Sequence, residues 1–134
     1  VIVVDASALS AFLLREEGWR NLAGYARGFA NAVAPDHVVK EVANAIWRAT
    51  RTGVLSDEES KKAFSLLLRM VGRNLVLEPE LEYLDGAFTL SITYGITVYD
   101  ALYVALALER NLPLLTIDEK QRRVAAALGI HVKP

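Results

Sequence analysis

Four acidic residues stand where the chain turns apolar: Asp5 directly after VIVV, Glu41 within VVKEVANA, Asp100 within TVYDALYVALALER, and Asp118 just after LLTI. Burying an ionised carboxylate without a partner is costly, so acids in such places call for a helix N-terminus, a cation or water. Gathered together they would repel one another, and a hard cation with oxygen ligands would relieve that repulsion. Such an ion can polarise a phosphoryl oxygen, orient or deprotonate a water and stabilise a leaving oxygen. Each acid also has a purely local reading. Asp5 and Asp118 each precede a helical segment and can serve as N-caps. Glu41 falls at the edge of the stripe formed by Val38, Val42, Ala45 and Ala49, with Asn44 and Arg48 on its outer flank, which suits a groove-lining carboxylate or a solvated boundary. Asp100 can be a dipole-favoured acid in a first turn, partnered with Thr97 in a capping arrangement. The helix behind it is apolar nearly all round, however, so its carboxylate lies against a buried element and is expected to be paired or metal-bound.

The elements that must position these acids alternate in type. VIVV is a short β-branched run of the kind found in buried parallel strands, and it stops at Asp5. ASALSAFLLREEG has helical composition and ends near Gly18, and GWRNLAGYARGFA gives a second helix. NAVAP returns to strand, and Asp36 can cap a helix from about His37 to Thr52 that Gly53 stops. Ser56 with Glu59 forms a capping box for a helix ending near Gly72. LVLEP is the next strand, with Pro79 as a first helical residue for ELEYLDGAFTLSITYG. Thr97 caps the helix of Asp100; PLLTID follows as strand, EKQRRVAAALG as helix and IHV as a last strand. This alternation predicts a three-layer α/β/α sandwich with a mostly parallel sheet, as one domain over residues 1–134. Ligands of such sheets bind outside the carboxyl ends of the strands, and Asp5 and Asp118 hang from two of those ends.

Composition narrows the chemistry. The chain has no Cys, so disulfides, thiolate metal sites and a Cys nucleophile are excluded and any metal must be held by oxygen or imidazole. His37 and His131 lack ligand-like spacing and read as surface or edge residues. The formal net charge of −1 neither demands nor forbids a nucleic-acid partner. Trp19, Trp47 and the tyrosines read as core or interface, and Arg48, Arg51, Arg69, Arg73 and the KQRR run as solvated faces that could also track phosphates. No apolar run approaches the roughly 20 residues of a membrane span. The N-terminal run lacks the basic region and cleavage site of a signal peptide, so a cytoplasmic protein is expected, with a residue or more trimmed before Val1.

Taken in order, VVDASAL, VVKEVANA, TVYDALYVALA and LLTIDEK resemble the PIN-domain family, most closely its small VapC-type toxins, over essentially the whole chain. The resemblance maps an acidic cluster onto Asp5, Glu41, Asp100 and Asp118, with Asp5, Asp100 and Asp118 as metal ligands. Ser7 and Thr116 are its nearby hydroxyls, Asn44 is a supporting residue, and the role of Glu119 is open. It implies a Mg²⁺- or Mn²⁺-dependent ribonuclease acting on single-stranded or structured RNA, homodimeric and neutralised by a cognate antitoxin. The Ala-, Leu- and Trp-rich helices independently suggest dimerisation, through Trp47 and the helix from 56 to 72. Two other readings compete. A phosphoacceptor signalling domain would need an acid beside Asp5 and a Lys where Asp118 stands. A catalytically silent module binding metal or RNA would use the acids only as caps.

Overall fold

The computed structural model describes residues 1–25 and 31–134. Five short strands, β1 (Ile2–Val4), β2 (Ala32–Pro35), β3 (Leu75–Glu78), β4 (Leu114–Leu115) and β5 (Val132–Lys133), form one sheet in the order β3-β2-β1-β4-β5. All the pairings are parallel, with Val3 opposite Val33 on one side and Leu114 on the other. Among the described residues the helices are α1 (Ala6–Leu14), α2 (Trp19–Ala23), α3 (Val38–Arg51), α4 (Asp57–Met70), α5 (Leu81–Tyr94), α6 (Val98–Arg110) and α7 (Glu119–Ala127). The parallel α/β architecture expected from the alternation is therefore present. β1 is buried along its whole length because it lies at the centre of the sheet, which is why it is a continuous β-branched run.

Helix α6 is the spine of the core. Every residue from Ala101 to Ala107 is buried, and the helix packs against α5, α7 and strands β1, β2 and β4. Thr97 caps it as expected, its hydroxyl accepting from the Asp100 backbone N–H at 3.2 Å, and the chain leaves it through Asn111 in the left-handed region. The Ser56–Glu59 capping box is also formed in both directions.

Several local expectations shift. Asp36 does not cap α3: His37 occupies the cap position without a side-chain bond, and Asp36 Oδ1 instead accepts from Glu80 N–H at 3.2 Å, tying the start of α5 to the end of β2. Helix α5 begins at Leu81 rather than at Pro79, because Pro79 and Glu80 form the turn before it. Helix α1 ends at Arg15, well before Gly18, where the backbone adopts φ 51. The helix expected from residue 18 onward covers Trp19–Ala23, and its 26–30 portion lies outside the described residues. β4 is confined to two residues, and β5 falls on Val132–Lys133 rather than on IHV. Trp47 is exposed on α3, which leaves the interface half of its core-or-interface reading. Among the described residues no single helix is long and apolar enough to cross a membrane; α5 and α6 meet at a bend of 115°.

Gly86 lies in the middle of α5, where a Cβ would meet Glu109 Oε1 at 3.6 Å and Ala105 Cβ at 4.0 Å, both ordinary contacts. With space available and a helical backbone, the conformational freedom of glycine is a net cost. Gly86→Ala is expected to stabilise the protein by about 0.5–1 kcal/mol, read as a raised denaturant midpoint at unchanged m-value.

Candidate active site

Asp5 leaves the end of β1 fully buried and caps α1, its Oδ1 accepting from Ala8 N–H at 2.9 Å. Two hydroxyls complete its shell. Ser7 Oγ lies 2.8 Å from each carboxylate oxygen, and Thr116 Oγ donates to Oδ2 at 2.6 Å. Those hydroxyls are themselves anchored by the loop after β4: Ile117 N–H donates to Ser7 Oγ at 3.2 Å and Asp118 N–H to Thr116 Oγ at 3.0 Å. Ser7 and Thr116 are thus brought to the site as the motif implied, as bridges between two strand ends. Burial raises the Asp5 pKa to about 6 against these donors, and the charge of Asp118 adds to the rise.

Asp118 caps α7 with Oδ2 accepting from Gln121 N–H at 3.3 Å. Asp100 projects from the first turn of α6, where Gln121 Nε2 donates to its Oδ1 at 3.2 Å. Its pKa is raised by burial first, then by the charges of Asp118 and Glu41. Glu41, in the first turn of α3, receives Tyr103 Oη at 2.8 Å and His37 Nε2 at 3.0 Å on the same oxygen, Oε1. Burial works to raise its pKa, but the bonds from His37 and Tyr103 outweigh that and hold it below the usual carboxylate range.

All four acids line one cavity of about 360 Å³, together with Ser7, Tyr103 and Gln121. It shares Ala6, Ser7, Glu41 and Ile117 with a wider groove of about 970 Å³ that also runs past Lys40, Asn44, Arg48 and Tyr99. Asn44 is exposed and faces this groove, outside the acid cavity, which corrects its assignment as a support for the acids. Glu119 points outward and pairs with Arg122 at 3.9 Å.

Two further corrections concern the site. His37, expected at the surface, is buried, with Nε2 also 3.1 Å from the Tyr99 carbonyl. Tyr103 is core, as expected, but its hydroxyl holds Glu41. The pairs His37–Glu41 and Tyr103–Glu41 join α3 to itself and to α6. The first has helical i,i+4 spacing and was therefore visible in principle; the second spans 62 residues and was not. The ligands of one metal site would stand within a coordination radius of each other. As the side chains lie, no group of three or more His, Cys, Asp or Glu among the described residues is drawn close enough to hold an ion. The reason is visible in the contacts: Asp5 is turned into its hydroxyl clamp and Glu41 toward His37 and Tyr103.

The donor set nevertheless fits a hard cation. Four carboxylates and two hydroxyls converge without any soft ligand, an all-oxygen set of the kind a hard cation takes.

The PIN domain profile matches residues 2–127. The chain belongs to the PIN-domain family. Among its PIN-domain relatives, Ribonuclease VapC3 of Pyrobaculum aerophilum is 34% identical over 119 residues, covering 89% of this chain and 90% of that one. Ribonuclease VapC1 of Mycobacterium tuberculosis is 37% identical over 98 residues, 72% of this chain and 68% of that one. The crystal structure of PAE2754 from Pyrobaculum aerophilum superposes with a TM-score of 0.73 at 21% identity, covering 98% of this chain and 82% of that one, and so shares the PIN fold.

The raised pKa of Asp5 has a defined consequence for stability. Its folded value, about 6, lies above the unfolded value of 3.8, so the folded state binds the extra proton and stability falls as pH rises between them. The loss is on the order of 3 kcal/mol. Asp5→Asn is expected to flatten that fall, while losing the Oδ2 acceptor for Thr116 Oγ, read from thermal melts between pH 4 and pH 8. A variant with the same pH slope as wild type would contradict the assignment.

Proposed function

We propose that this PIN domain is a Mg²⁺- or Mn²⁺-dependent endoribonuclease, the toxin of a toxin–antitoxin pair, acting in the cytoplasm as a homodimer. The observation that carries the reading is the convergence of Asp5, Glu41, Asp100 and Asp118, from four different elements, on one cavity that opens onto a groove flanked by Lys40 and Arg48. The ribonuclease names of the relatives support RNA as the substrate.

Asp5, Asp100 and Asp118 are the residues that would hold the cation. When bound, it would offset charge developing at the scissile phosphate and acidify a water. The remaining work falls to the chain. Glu41 is kept ionised by His37 and Tyr103, with Oε2 free of the bonds that occupy Oε1, so it would orient the attacking water by accepting a hydrogen bond from it. Lys40 and Arg48 would take backbone phosphates, and the exposed Tyr99 ring beside Asp100 would offer a face to an unpaired base. For dimerisation, α4 exposes Phe64 and Leu68, and α5 exposes a stripe of Leu81, Leu84, Phe88 and Ile92 at helical spacing, more apolar surface than scattered residues explain.

Asp100→Asn is expected to abolish Mn²⁺-dependent cleavage of single-stranded RNA, against an EDTA control. It should leave the melting temperature at pH 7 unchanged or higher, because the Thr97 cap uses the backbone of residue 100 and a disfavoured charge is removed. Equal cleavage by variant and wild type would defeat the reading. Lys40→Ala and Arg48→Ala should weaken RNA binding without sequence preference and each reduce the salt-dependence slope by about 1. Sedimentation should give a dimer for wild type and a monomer for Phe88→Glu with Ile92→Glu; a wild-type monomer at high micromolar concentration would remove the dimer.

A further inference from the structure

Gln121, the one glutamine of the chain, is buried at the third position of α7, three residues after the Asp118 cap. Asp-x-x-Gln is the spacing of a capping box, in which the Gln side chain would return to the backbone N–H of the cap residue. That return bond is not made here, because Asp118 N–H is already given to Thr116 Oγ. The amide reaches instead across to α6, where Nε2 donates to Asp100 Oδ1 at 3.2 Å, while the Gln121 backbone N–H holds Asp118 Oδ2 at 3.3 Å. One residue thereby grips two carboxylates on two different helices.

Its other end is left without a partner. Gln121 Oε1 is buried and, among the described residues, makes no hydrogen bond. A buried acceptor left unpaired is costly, and a Met or Leu at this place would fill similar volume without that cost. The carboxylate also dictates which way the amide faces, since an anionic Asp100 accepts and cannot donate. What the amide supplies here is its N–H toward Asp100.

We propose that Gln121 is a positioning residue of the cation site: it holds Asp100 and Asp118 at a fixed separation, so that an arriving divalent ion finds both already oriented. This rests on the metal-dependent reading above. Partners of this kind, bonded to metal-binding carboxylates, typically change ion affinity by about 10–100-fold.

The test is calorimetric titration of Mn²⁺ into wild type, Gln121→Met, Asp100→Asn and the double variant, with the melting temperature of each measured in EDTA. Gln121→Met is expected to raise the Mn²⁺ Kd about tenfold. Its EDTA melting temperature should be unchanged or higher, since an orphaned acceptor is removed, a split that a merely structural role would not give. In the Asp100→Asn background the same substitution should add little, because the group it acts through is gone. A Gln121→Met Kd within twofold of wild type would overturn the proposal, as would an equal further loss in the Asp100→Asn background. Loss of fold by Gln121→Met, seen as a collapsed EDTA melt, would also overturn it by assigning the amide to the core. If wild type itself binds no Mn²⁺, the metal-dependent reading fails first, and that result is distinct from the others.

Discussion

The site depends on one buried carboxylate. Asp5 ends the central strand, starts α1 through Ala8 N–H and, through Ser7 and Thr116, binds the loop that follows β4. Each hydroxyl receives a backbone N–H from that loop and passes its own proton to Asp5, so two short relays lock neighbouring strand ends together. With the β1–β4 pairing and the Asp5 N–H bond to the Leu115 carbonyl, they fix the loop carrying Asp118 against the end of β1. Helix capping and site building are therefore a single arrangement here. The cap orients the acid, and the acid orients the rim.

Around that anchor the four carboxylates are made unequal. Burial pushes Asp5 and Asp100 up, the charge of Asp118 pushes both further, and hydrogen bonds from His37 and Tyr103 pull Glu41 down. Environments that drive like groups apart are what separates acid, base and ligand roles within one site. Glu41 is held ionised, while Asp5 and Asp100 carry charge that burial disfavours. Burial and the charge of Asp118 both disfavour ionisation of Asp5 and Asp100, and the hydroxyls of Ser7 and Thr116 and the Gln121 amide offset part of that cost.

The sequence carried the local part of this and not the rest. Asp5, Thr97, Asp118 and the Ser56–Glu59 box were legible because a cap needs only the next three residues, and VIVV and the buried face of α6 were legible because burial leaves a composition. The strand ends pointed Asp5 and Asp118 at one rim, and the resemblance of the four motifs to the PIN-domain family added Glu41 and Asp100. What was missed is non-local: the Tyr103 hydroxyl on Glu41, the Gln121 amide on Asp100 and the Asp36 carboxylate on Glu80 N–H all join residues from different elements. Asp36 failed as a cap for that reason, a distant donor having outcompeted a local one. His37 was misjudged because its spacing was tested against metal-ligand patterns and not against the acid one helical turn away.

On the proposed reading Asp5, Asp100 and Asp118 hold a divalent cation, and burial and neighbouring charge make Asp5 and Asp100 costly to ionise without one. Ion binding must then stabilise the fold by linkage and remove the reason for its pH dependence. The direct measurement is the melting temperature of wild type between pH 4 and pH 8, with EDTA or with saturating Mn²⁺. The account predicts a saturable rise at pH 7 that shrinks toward pH 4, where protons compete with the ion for the same oxygens. A melting temperature indifferent to millimolar Mn²⁺ at pH 7 would contradict it.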